Sequence, residues 1–102
     1  MASDLRIRSE TRHAADAVVR LMWRSESGDD QYASVKTIDF SESGLRIRTP
    51  HRLEPRTYVT LVCESLGLRG SACVRHCTRQ GPGYIVGLEF AGGMFRSKPR
   101  YE

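Results

Sequence analysis

The chain has 102 residues and a formal net charge of +4, and 39% of its residues are hydrophobic. This length provides one domain and leaves no room for a second. No segment approaches the roughly 18 apolar residues of a membrane-spanning helix, and the N-terminal residues lack the apolar stretch of a secretory signal, so we expect a soluble, cytoplasmic protein without a membrane span.

Short alternating strands follow one another from Val18 onward, separated by clusters of turn residues. The six predicted strands cover residues 18–24, 32–38, 45–48, 57–63, 68–78 and 84–90. An irregularity is predicted near Gly70 in the fifth strand. No stretch repeats apolar residues at helical spacing over three turns. Six strands at this close spacing predict an all-β fold, a small barrel.

The segments outside the strands divide the chain into three parts. Residues 1–17 form a predicted N-terminal segment, residues 18–91 the barrel, and residues 92–102 a C-terminal tail that shows no periodicity. Trp23, at the end of the first strand, is predicted to lie in the core or at its rim.

The three cysteines, Cys63, Cys73 and Cys77, form an odd set without a CxxC pair. This pattern favours buried, reduced thiols over disulfides. In a regular strand Cys73 and Cys77 share one face and His76 lies on the other, which does not suit a zinc site. No histidine, serine or cysteine has a catalytic companion in the pattern. The sequence therefore predicts a protein without a metal, a cofactor or a catalytic site.

Arginine supplies fourteen of the sixteen cationic side chains, and the excess of positive charge lies in residues 51–102. Its planar fork of donors matches phosphate oxygens and the O6/N7 edge of guanine. The bias is typical of a protein that binds guanine nucleotides or nucleic acid. It is equally typical of a GC-rich genome that places arginine on solvated faces.

Two short motifs lie at strand boundaries. Residues 39–44, DFSESG, form a DxSxxG turn between the second and third predicted strands, and Arg8 to Arg12 reads RxxxR ahead of the first strand. Asp, Ser and Gly also commonly shape turns through their own backbone. The order of these two motifs and of the closing strand, residues 84–90, resembles the PilZ domain family over about residues 8–91.

This resemblance implies a six-stranded antiparallel PilZ-type β-barrel with a flexible N-terminal motif segment. It implies a stand-alone, non-enzymatic bacterial receptor for the second messenger cyclic di-GMP, which signals through a protein effector. The implied ligand-binding residues are Arg8, Arg12, Asp39, Ser41 and Gly44. Their chemistry is suitable, because arginine donates to phosphates and guanine edges and Asp39 can accept from the guanine N1–H and N2 amino groups.

Other hypotheses stay open. In a second register Arg12 is the first arginine and Asp16 occupies the place of the second, which would set a carboxylate against the phosphates and leave the site incomplete. The chain would then be a PilZ-like adaptor that binds no nucleotide and acts through protein contacts, with Met94 and Phe95 as candidates. A small basic barrel for single-stranded nucleic acid is less favoured, because only 8% of the residues are aromatic and few can stack bases beside arginine.

Overall fold

The strands are seen directly in a computed structural model, which describes residues 13–92 and the backbone of residues 95–96. In chain order they are β1 (His13–Ala14), β2 (Val18–Arg24), β3 (Asp30–Phe40), β4 (Gly44–Thr49), β5 (Tyr58–Cys63), β6 (Leu68–Gln80), β7 (Gly83–Phe90) and β8 (Phe95–Arg96). One 3-10 turn, Glu64–Leu66, connects β5 to β6. The described residues contain no helix long and apolar enough to cross a membrane.

Six of these strands close into an antiparallel barrel. The order around the ring is β3, β2, β5, β6, β7 and β4, and β4 pairs with β3 to complete it. β1 lies outside the ring against the end of β3, and β8 pairs with the start of β6. The predicted all-β fold and its six-stranded antiparallel barrel are therefore confirmed.

The core follows from the alternation of side chains along each strand. In β2, for example, Val19 and Leu21 are buried, whereas Val18 and Arg20 are exposed. Because successive side chains of a strand point to opposite faces, burying one set leaves the other on the outer surface. Trp23 packs against the edge of the core, as predicted. The buried cluster consists of Val19, Leu21, Val35, Leu45, Ile47, Leu53, Val59, Leu61, Cys63, Leu68, Ala72, Val74, Val86 and Leu88.

Two bulges interrupt the regular pairing, and neither is at Gly70. That residue pairs in register with β5, so the predicted irregularity there is wrong. The register shifts instead between Thr37 and Asp39 in β3 and between Val74 and His76 in β6. One extra residue in a strand shifts its alternation by one position. The shift in β3 lies at the start of the DxSxxG motif, and the shift in β6 lies across the barrel surface from it.

The bulge in β6 separates two cysteines that a regular strand would place together. Cys73 pairs with the exposed Glu89, whereas Cys77 pairs with Val86 of the core. Directly opposed residues share a face, so Cys73 lies outside and Cys77 packs inward, and the prediction that they share a face is wrong. Both are half-buried, and only Cys63 is fully buried, but all three are free thiols.

Candidate functional site

The DxSxxG turn connects β3 to β4 with only three residues, 41–43, between the strands. The amide of Ser41 donates to the Gly44 carbonyl oxygen at 2.8 Å. The amide of Phe90, at the end of β7, donates to the Ser43 carbonyl oxygen at 2.7 Å. Ser41 is buried. The turn is thus held both by its own strands and by β7.

Gly44 is required by a close approach between two strands. It pairs with Glu89 of β7, and a Cβ atom on it would lie 2.1 Å from the Leu88 carbonyl oxygen. Its backbone is not among the left-handed glycines, so the missing side chain is the constraint, not a special turn conformation. The close backbone approach predicted at Gly44 exists, and it is made to the chain's own β7.

Asp39, at the end of β3, forms a bidentate ion pair with Arg46 of β4. The Arg46 Nε donates to the two carboxylate oxygens at 3.0 and 3.2 Å, and Nη2 donates to Oδ2 at 2.5 Å. The Asp39 side chain is 13% exposed and that of Arg46 is 43% exposed. Hydrogen bonding to Asp39 raises the pKa of Arg46 above its ordinary value, which outweighs the opposing effect of burial. The fork therefore orients the carboxylate and favours its ionised form.

Cross-strand pairing extends this ion pair into a row across four strands. Asp39 pairs with Arg46, Arg46 pairs with Gly87 of β7, and Gly87 pairs with His76 of β6. Directly opposed residues place their side chains on the same face, so the row lies on the outer surface of the barrel. At roughly 4.8 Å between neighbouring strands, the row is about 14 Å long.

An open groove of about 280 Å³ lies along this row from Arg46 to His76, and Asp39 is not among its lining residues. Its charged and titratable lining consists of Arg46, Arg75, His76 and Glu89, of which Arg75 and Glu89 form an ion pair. Gly87 lies beneath the imidazole, since a Cβ atom there would be 2.3 Å from His76 Nε2. Small-molecule sites usually enclose about 300–1,000 Å³. The groove can therefore cover only part of a dinucleotide, and another segment would have to cover the rest.

The N-terminal segment joins the barrel at the DxSxxG motif. β1 pairs His13 with Phe40, the second residue of the motif, and the centres of the two rings lie 5.2 Å apart. Arg8 and Arg12 lie outside the described residues, so their contacts stay a prediction. His13, the residue that follows Arg12 in the sequence, lies beside the turn.

Asp16, the competing position for the second motif residue, faces another part of the surface. Its Oδ1 accepts a hydrogen bond from Lys36 Nζ at 3.3 Å, and both side chains are exposed. Asp16 lines a different groove, with Arg20 and Val62 of β2 and β5. That groove shares no lining residue with the one along the Asp39 row. The position that the second register assigns to the second arginine therefore lies away from the groove beside the DxSxxG turn.

Three residues of the site, Arg46, Gly87 and His76, are not singled out by any sequence motif. The signal for Arg46 is its place two residues after Gly44 on an alternating strand, which puts it on the outer face. No such signal exists for His76, whose position depends on the bulge at Arg75. Within residues 13–92, no group of three or more His, Cys, Asp and Glu side chains is placed to hold a metal ion.

Comparison with known proteins adds independent information about this arrangement. The sequence model of the PilZ domain family matches residues 6–95. This range includes both motifs and all six strands of the barrel. No curated protein matches the chain significantly. PilZ domains are binding and adaptor domains rather than catalytic ones, and binding of cyclic di-GMP is characteristic of the family. Because the match covers most of the sequence, the chain belongs to the PilZ domain family.

Proposed function

We propose that this protein is a receptor of the bacterial cytoplasm that binds cyclic di-GMP and passes its bound state to a protein partner. The ligand lies on the outer face of the barrel, with Asp39 and Ser41 at one end and Arg8 and Arg12 closing over it. The observation that carries the proposal is the pairing of His13, the residue that follows Arg12 in the sequence, with Phe40 of the DxSxxG turn.

The roles of Asp39, the two arginines and Gly44 follow from the chemistry of the ligand. Cyclic di-GMP carries two guanines and two phosphodiester anions. Asp39, oriented by the Arg46 fork, accepts from the N1–H and N2 amino donors of one guanine. Arg8 and Arg12 donate bidentately to phosphate oxygens or to the O6/N7 edge of guanine. Gly44 keeps β4 against β7, so that the turn and the groove form one continuous surface.

Calorimetric titration of the full chain with cyclic di-GMP, cyclic di-AMP and GTP tests this function. Cyclic di-AMP has the same phosphodiesters but lacks the N1–H and N2 donors that Asp39 would accept, whereas GTP has guanine without the cyclic linkage. We expect saturable binding of cyclic di-GMP that is at least about tenfold tighter than binding of either control. Equal affinities, or no binding of any of them, would contradict the proposal. Salt-sensitive retention of RNA would instead indicate the nucleic-acid barrel.

The ion pair between Asp39 and Arg46 is also compatible with the second candidate, a nucleotide-free adaptor. A bidentate pair between two strands can serve the structure alone, because removing one partner would leave a partly buried charge uncompensated. In that case both residues join β3 to β4 and no ligand is needed to explain them. The two candidates differ in what a substitution at Asp39 should change.

We expect Asp39→Asn to weaken cyclic di-GMP binding at least about tenfold. The amide keeps one acceptor for Arg46 but replaces part of the anionic acceptor with a donor, which opposes the guanine N1–H. Because Arg46 is 43% exposed, the weakened ion pair should cost only about 1 kcal/mol of folding stability. The melting temperature should therefore fall by no more than about 8 °C. Titration calorimetry and thermal circular dichroism measure the two effects separately.

Asp30→Asn is the matched control for this substitution. Asp30 pairs with Arg24 at 3.4 Å beside the β2–β3 turn and lines none of the groove along the Asp39 row. The variant makes the same chemical change in an arginine ion pair and should keep the parent affinity. Parent-like affinity in a folded Asp39→Asn variant would remove Asp39 from the site and support the nucleotide-free adaptor.

A further inference from the structure

His76 lines the groove, yet its imidazole has no hydrogen-bond or ion-pair partner within residues 13–92. The side chain is exposed, and its Nε2 end lies over Gly87. The bulge at Arg75 is responsible for this position, because it sets His76 opposite Gly87 and on the outer face. An imidazole with unused hydrogen-bonding groups thus occupies the end of the row that begins at Asp39.

The charges that face His76 occur as two ion pairs, and His76 belongs to neither of them. Arg46 faces it from β4, and Arg75 precedes it on β6. Glu89 of β7 is the acidic neighbour, and its carboxylate is paired with Arg75. Because Arg46 is likewise paired with Asp39, an imidazolium at position 76 would be the unpaired cation among these side chains and could meet an anion.

We propose that His76 is a ligand-binding residue, whose imidazolium donates a hydrogen bond to a phosphodiester oxygen of cyclic di-GMP. The inference rests on the proposed function and adds to it a named contact and a dependence on pH. A ligand held at Asp39 extends along the row over Gly87, where the absence of a side chain permits close approach. The His76 ring occupies that space in the free protein, so it rotates aside on binding and stays beside the ligand.

This contact makes the affinity depend on pH. Histidine side chains change charge between about pH 5 and pH 8, whereas the guanines and phosphodiesters of the ligand do not titrate in that range. The anionic ligand stabilises the imidazolium, so binding takes up a proton. Affinity is therefore highest near the acidic end of the range and falls as the pH rises. We expect a difference of about tenfold between about pH 5.5 and about pH 8.5.

Calorimetric titration of the parent chain, His76→Gln and His76→Phe with cyclic di-GMP across this pH range tests the contact. Gln keeps a neutral donor, and Phe keeps a ring over Gly87 without charge or hydrogen bond. We expect both variants to bind with an affinity that is independent of pH and no tighter than that of the parent at alkaline pH. Parent-like pH dependence in either variant would overturn the inference.

The other histidines of the chain provide the controls. His13 contacts Phe40 of the turn, and His51 contacts Trp23 with ring centres 5.7 Å apart. His13→Gln and His51→Gln should each keep the parent's pH dependence, and its loss in His13→Gln would assign the effect to the turn and contradict the role of His76. Thermal melting at each pH verifies that the variants are folded.

Binding that is tight but independent of pH in the parent overturns this inference alone, whereas no binding at any pH overturns the proposed function with it.

Discussion

Gly44→Ala is expected to destabilise the barrel by about 3 kcal/mol, the upper part of the usual range for forcing extra atoms into a packed site. The added Cβ atom would lie 2.1 Å from the Leu88 carbonyl oxygen and 3.2 Å from the Glu89 Cα atom. Both are backbone atoms of β7, so relief requires that β4 and β7 move apart; no side chain can rotate to make room. Urea unfolding followed by circular dichroism measures the loss in the free energy of unfolding.

Gly92→Ala is the matched control, because no atom lies within 4 Å of the position that its Cβ would take. Its stability should stay within about 0.5 kcal/mol of the parent. The Gly44 variant should melt at least about 12 °C below the parent, on the basis of about 4–8 °C for each kcal/mol. A Gly44→Ala protein with the parent's stability would contradict the close contact of the strands beside the turn.

Replacing both arginines of the first motif, Arg8→Ala together with Arg12→Ala, is expected to weaken cyclic di-GMP binding about a hundredfold or more. Each arginine supplies charge-assisted hydrogen bonds of about 1.5–3 kcal/mol, which corresponds to about tenfold or more for each residue. Thermal circular dichroism checks that each variant keeps the parent fold. Calorimetric titration of the two single variants and the double variant measures the separate and combined losses.

Asp16 provides the control and the competing outcome for this prediction. Its exposed side chain pairs with Lys36, away from the groove along the Asp39 row, so Asp16→Ala should leave the affinity unchanged. If Asp16→Arg creates or strongly improves binding while Arg8→Ala has no effect, the second register is correct. The natural chain would then carry an incomplete site, and the adaptor would replace the receptor as its function.

Only part of the role of the DxSxxG motif can be predicted from the local sequence. The DxSxxG turn is bounded by alternating strands, so its place between β3 and β4 is predictable, and the glycine at its end indicates a close approach. That this approach is to β7 is not predictable, since Gly44 and Leu88 are far apart along the chain. Likewise, Asp39 is recognisable as a motif residue, whereas its ion pair with Arg46 depends on how β3 and β4 are paired.

Alternation alone is sufficient for the fold class, because side chains of a strand alternate with a period of two and the apolar set must be buried. The barrel and most of its core therefore follow from local sequence. The row from Asp39 to His76 was decided only by tertiary structure. Its members are neighbours through strand register, which depends on burial of the whole core and on two bulges that no local pattern marks. One extra residue at Arg75 reverses the face of every later side chain in β6, and this reversal separates Cys73 from Cys77 and brings His76 to the groove.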